Sequence, residues 1–312
     1  MATTRTILRD HPDYRIELIV PDQIDPDLAG KLLVGFGPIN SGFDDPGFGE
    51  VLSEKIGVAY AAVRQRKGTQ YQLLSREVMT EVFGGLRDRY ELFFYGSSVG
   101  AYCAAYFARP LGANFLALSP RIPTHPLTSL RISTKFPTAG YHHVPVYEGD
   151  APSGTPRQIV AYDPDNHVDS FYADTDLALA FPELEVHRLP NAGHYTARAL
   201  MLSRTLKPAV IDFLAHRPLR LDVDTDAVVA WHNDRFSSML AKRKFGLASE
   251  HLEVLMRHQD AETTAQHVRA MNVATAEVAE AAERRKKTAA STPAATAPKK
   301  SFVARVKRRL TR

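Results

Sequence analysis

The chain has 312 residues, with 39 Lys and Arg against 35 Asp and Glu, a formal charge of +4 at pH 7. Hydrophobic residues make up 44% and charged residues 24%, as in an ordinary globular protein, and the single cysteine, Cys103, excludes an internal disulfide and a Cys-based metal cluster. No apolar run approaches the roughly 18 residues of a membrane span, and the N-terminal residues lack the apolar core of a signal peptide, so a cytoplasmic protein is expected.

Seven short apolar runs, punctuated by Gly or Pro, read as strands: 14–21, 31–37, 57–64, 91–96, 114–120, 157–163 and 184–190. From Lys31 onward most are continuous rather than alternating, the mark of strands buried on both faces. Helical segments lie between them. Residues 75–90 place Val78, Val82 and Leu86 four apart on one face, 99–108 follow the fourth run, and 197–215 follow the last, with a kink expected at Pro208. Strands alternating with helices predict a mostly parallel sheet covered on both sides. The segment 121–156, rich in Pro, Gly, Thr and Ser, reads as loops.

Past Leu221 the strands stop. Residues 226–246 and 249–287 read as helices, the second capped by Ser249. Residues 288–300 contain no large apolar side chain and read as a disordered linker. Residues 301–312 gather Phe302, Val303, Val306 and Leu310 on one side of a short basic amphipathic helix, suited to an anionic membrane surface or an acidic protein partner. From Arg284 onward there are eleven basic residues and no acid, so removing them from +4 leaves residues 1–283 at −7. An acidic body excludes specific nucleic-acid binding by its surface, and the tail carries no base-reading motif.

The fourth run ends in Gly96-Ser97-Ser98-Val99-Gly100, a G-x-S-x-G nucleophile elbow between a strand and a helix. Such a serine sits on a strained turn, and side chains at positions 96 and 100 would collide with it. The helix after it must pack closely, and Ala101, Ala104 and Ala105 are small enough. Around this motif, over about residues 14–215, the sequence resembles the α/β-hydrolase superfamily. The resemblance implies Ser, then an acid after a later strand, then His after the last strand. His194 stands in a Gly-containing loop directly after the run 184–190, with His167 and His187 as weaker alternatives. The loop after 157–163 offers Asp163, Asp165 and Asp169, of which Asp165 falls where the family acid usually lies; Asp169 reads as a helix cap and Asp163 as a strand end.

The implied oxyanion hole uses the Val99 N–H and a second N–H from the loop after 31–37. Pro38 has none, which leaves Phe36 or Gly37, with Ile39 behind. Arg64, Arg66, Gln70 and Tyr71 follow a strand at its C-terminal end, where they meet either a polar substrate or solvent. Tyr141, His142 and His143 carry the same ambiguity, and no metal or cofactor is expected. The resulting reading is an α/β fold, α/β-hydrolase-like, with a mostly parallel doubly covered sheet, a reduced cap and a C-terminal helical extension. Its parts are a catalytic domain at 1–220, the extension at 221–287, the linker and the tail. The function it implies is a serine esterase or deacylase on a small-molecule or polymer-linked ester. An acyltransferase with the same triad and a non-catalytic scaffold are the alternatives. The tail adds a peripheral location at the inner face of a membrane as a variant of the cytoplasmic one.

Overall fold

A computed structural model describes residues 3–125, 140–149 and 156–291. The basic tail at 301–312, most of the linker and much of the segment 121–156 lie outside the described residues. Eight strands form one sheet: β1 (Thr3–His11), β2 (Tyr14–Pro21), β3 (Lys31–Phe36), β4 (Ala59–Gln65), β5 (Glu91–Ser97), β6 (Asn114–Leu118), β7 (Gln158–Tyr162) and β8 (Glu185–Arg188). Their order is β1-β2-β4-β3-β5-β6-β7-β8. Only the pairs β1–β2 and β2–β4 are antiparallel; every pair from β4 through β3 to β8 is parallel. The architecture is the mostly parallel, doubly covered α/β-hydrolase-like sheet.

The helices are α1 (Glu50–Ile56), α2 (Arg76–Gly84), α3 (Val99–Leu111), α4 (His167–Phe171), α5 (Thr196–Leu202), α6 (Leu206–Leu214), α7 (Thr225–Ala241), α8 (Phe245–His258) and α9 (Ala261–Ser291). Helix α4 continues through a π-helical turn at Tyr172–Leu177. Burial on both faces explains the continuous apolar strands. On β5, Phe94 packs with Phe36, Phe83 and Phe107 under α2 and α3, while Phe93 and Tyr95 pack with Ile56, Leu200 and Phe213 on the opposite face. Phe93 and Phe94 are both fully buried, each stabilising the fold by on the order of 2–3 kcal/mol.

Several local expectations are corrected. β1 is a nine-residue edge strand that no apolar run announced, because its side chains are mostly exposed and polar. The break in 197–215 falls at Ser203–Thr205, where Arg204 takes a left-handed backbone (φ 61). Pro208 sits in the first turn of α6, where its missing N–H costs nothing. Ser249 lies inside α8 rather than at its start, and the helix expected over 249–287 is divided at Gln259 and Asp260. The linker was expected from Thr288, yet α9 runs to Ser291 through two alanines that favour helix.

The chain divides into two compact units, Met1–Ala261 and Glu262–Arg312. Helices α7 and α8 therefore belong to the unit that contains the sheet, and all but the first residue of α9 to the other. No helix among the described residues is long and apolar enough to cross a membrane.

Candidate active site

β5 runs into α3 through Ser98, which adopts φ 59 and ψ −121, a backbone that L-residues adopt only under constraint. The two glycines make the turn possible. A Cβ on Gly96 would lie 2.1 Å from the Gly100 carbonyl oxygen, and one on Gly100 would lie 2.0 Å from that of Phe36. α3 can then press against β3 and β5 while Ser98 stands at the C-terminal edge of the sheet.

Three side chains meet there. Ser98 Oγ lies 2.9 Å from His194 Nε2. His194 Nδ1 lies 2.9 Å from both carboxylate oxygens of Asp169. The carboxylate is fully buried, whereas Ser98 and His194 retain some exposure. Burial alone would push the Asp169 carboxyl up, but His194 and Arg121 outweigh it and hold it below the usual carboxylate range.

The acid at the imidazole is thus Asp169 and not Asp165. Asn166 caps α4 by accepting the Asp169 N–H, which frees the Asp169 side chain from capping and turns it inward. Asp165 points outward instead, 2.6 Å from Arg257 on α8 and more than half exposed. Asp163 has a different task. It is fully buried, and its Oδ2 accepts the Gly193 N–H at 2.8 Å while Oδ1 accepts the Asp165 N–H at 3.0 Å. Arg257 reaches Asp163 at 3.3 Å. An arginine of α8 therefore steadies the carboxylate that holds the loop just before His194.

Arg121 carries no signal in the sequence and ties the whole constellation together. Its backbone N–H donates to the Ser98 carbonyl at 3.2 Å. Its Nε donates to Asp169 Oδ1 at 3.0 Å, and its Nη2 donates to Asn166 Oδ1 at 3.1 Å. One buried residue thus links the elbow through its backbone N–H, and the acid and the cap of the helix that presents the acid through its side chain. Its charge is buried with a partner, as a buried charge must be.

The His194 loop rests on the C-terminal helices. A Cβ on Gly193 would lie 3.0 Å from Val254 and 3.2 Å from the His232 ring. Behind it, His232 and His251 are buried with their Nδ1 atoms 2.9 Å apart. Burial and the neighbouring His251 lower His232 to about 3, and burial with Arg235 lowers His251 to about 4, so both rings are neutral near pH 7.

The expected oxyanion donors separate. Val99 is the first residue of α3, so its N–H has no acceptor within the helix. Phe36 is interior to the sheet, paired with Val63 and Gly96. The Gly37 N–H donates to the Tyr71 hydroxyl at 2.8 Å and is not free. Ile39, one residue past Pro38, is the remaining candidate.

Of the expected substrate contacts, Arg64 is tied to Glu17 and Glu50 and donates to the Phe43 and Asp45 carbonyls. Arg66 pairs with Asp13. Gln70 and Tyr71 are buried, each with a left-handed backbone, and Gln70 Oε1 accepts the Thr124 N–H. His143 is buried against Tyr106, and its Nε2 lies within hydrogen-bond distance of the Tyr71 and Leu74 carbonyls; the His142 N–H donates to Gln72. Tyr141 packs edge-on to His125. His187 pairs with Glu185 at 2.6 Å, and His167 opens α4.

No family model matches the chain, and no curated protein matches it. Among solved structures it is similar to the esterase LipW from Mycobacterium marinum, at 17% identity over 69% of this chain and 80% of that one, with a TM-score of 0.45. It is similar to esterase 2 from Thermogutta terrifontis, at 14% identity over 69% and 94%, TM-score 0.45. It is also similar to XC6422 from Xanthomonas campestris, a serine hydrolase without a lid, at 16% identity over 69% and 94%, TM-score 0.42. With its strand order, its elbow and the succession Ser98, Asp169, His194 along the chain, this protein has an α/β-hydrolase-like fold.

Proposed function

We propose that this chain is a serine hydrolase that cleaves an ester through an acyl-enzyme. The observation that carries the reading is the continuous hydrogen-bonded chain from Ser98 Oγ through His194 to Asp169 on a strained elbow. In the first half-reaction His194 Nε2 takes the Ser98 proton as Oγ attacks the ester carbonyl. The oxygen of the tetrahedral intermediate is received by the Val99 N–H at the start of α3, with the Ile39 N–H as second donor. His194 then returns the proton to the leaving alkoxide, and the alcohol departs. A water activated by the same imidazole releases the carboxylic acid and restores Ser98. Asp169 does not take the proton; it fixes the imidazole tautomer and stabilises imidazolium. Arg121 holds Asp169 in place for that task.

Hydrolysis of short p-nitrophenyl esters tests the reading. The Ser98→Ala variant is expected to lose about a thousand-fold or more in kcat/KM, since the nucleophile acts as a unit with its base. An unchanged kcat/KM in that variant would remove Ser98 from the chemistry.

A further inference from the structure

Behind His194, where α5, α7 and α8 converge, lies an open groove of about 330 Å³ that the proposed esterase chemistry does not use. Its apolar wall comes from Tyr195, Trp231, Met239 and Leu247, with His251 stacked on Tyr195 at 4.9 Å between ring centres. Leu247 is 39% exposed, an apolar side chain left open at the rim. Arg198 and Arg235 complete the lining, each with its guanidinium 5.7 Å from the centre of the Trp231 ring.

Arg198 is half-buried and Arg235 is exposed, so two cations flank one ring where an anion from solution can meet them. Among the described residues, neither arginine has a carboxylate within ion-pair distance. Arg198 Nε and Trp231 Nε1 are both buried donors without a hydrogen-bond partner, and such donors are costly to leave unpaired. The nearby acid is already engaged: Glu250 accepts from the Tyr195 hydroxyl at 3.3 Å and lies 3.9 Å from Arg121. Volume and lining are those of a site for a small ligand with a large apolar part. The guanidinium pair supplies the planar, bidentate recognition that a carboxylate needs.

We propose that this groove binds a small amphipathic carboxylate, an acyl or aryl body bearing one carboxylate, with the carboxylate on Arg198 and Arg235 and the body against Tyr195, Met239 and Leu247. The site is separate from Ser98 and goes beyond the esterase reading. Occupancy is coupled to the catalytic base by position, because Tyr195 follows His194 directly and packs edge-on to it at 5.9 Å between ring centres.

Trp231 is the only tryptophan in the chain, beside twelve tyrosines, so fluorescence excited selectively at tryptophan reports this groove. The experiment titrates the full-length protein with octanoate, octanol and acetate, following fluorescence and, in parallel, heat by calorimetry. Octanoate is expected to bind saturably in both readouts, and octanol and acetate at least about tenfold more weakly. Arg198→Ala and Arg235→Ala should each weaken octanoate by about tenfold or more while leaving the far-ultraviolet circular dichroism unchanged. Ser98→Ala should bind octanoate as the wild type does, which keeps this result separate from the fate of the esterase reading. Equal binding of octanol and octanoate overturns the proposal, as does loss of octanoate binding in Ser98→Ala. Neither fluorescence change nor heat up to about 10 mM octanoate also overturns it.

Discussion

At the scale of single residues, the acid decides how the site works. Three aspartates stand within seven positions, and the structure gives each a different neighbour: Asp163 a backbone N–H and Arg257, Asp165 Arg257 and solvent, Asp169 the imidazole and Arg121. Only the last can set the histidine tautomer. Asp169→Asn would present an amide to His194 Nδ1 and favour the wrong tautomer, so kcat on a p-nitrophenyl ester should fall by about a thousand- to ten-thousand-fold. Asp165→Asn removes an exposed ion pair worth about 1 kcal/mol or less, and kcat should stay within about threefold of wild type. Steady-state kinetics on the two variants checks the assignment; a larger loss in Asp165→Asn than in Asp169→Asn would reverse it.

At the scale of elements, α7 and α8 hold the base loop from behind. The loop packs on Val254 and His232, and α8 reaches Asp163 through Arg257. The pairing of His232 with His251 requires at least one neutral ring, and the groups around them include cations and aromatic rings: Arg235 on α7, Arg257 on α8, and Tyr195 and Trp231. Above their ordinary value of 6.5 both histidines are neutral whether the chain is folded or not, and they contribute no pH dependence. Between 6.5 and about 4 the unfolded chain binds protons that the folded one refuses, so stability falls as pH falls through that window. The unfolding midpoint should therefore drop by more than about 5 °C from pH 7 to pH 5, and the drop should be smaller in His232→Gln. Differential scanning calorimetry of both proteins across that range measures the difference; parallel curves would exclude the pair as its source.

At the scale of the whole molecule, legibility in the sequence follows burial. The seven apolar runs lie along β2 to β8, and those of β3 to β7 are continuous because strands buried on two faces cannot be written in polar residues. β1 was invisible because its side chains are mostly exposed and polar, so no apolar run marks it. Ser98 and His194 were readable because each is bound to a local motif, a strand-turn-helix elbow and a glycine loop after the last strand. Asp169 was only one of three acids offered by its loop, because no local motif marks which of them turns inward, and Arg121 was not singled out at all, because its partners are set by the fold. The breaks before α6 and α9 fall at Ser203–Thr205 and at Gln259 and Asp260, away from Pro208 and Ser249, the residues that the sequence offered as markers. The charge division stands in the sequence itself: the eleven basic residues after Glu283 lie outside the unit that carries the site.

Ser98 is proposed as the nucleophile of a working acyl-transfer site. Intact-protein mass spectrometry after exposure to a fluorophosphonate probe tests it most directly. The wild type should gain one probe adduct that peptide mapping places on Ser98, and the Ser98→Ala variant should gain none. An adduct on another residue, or equal labelling of both proteins, would contradict the account.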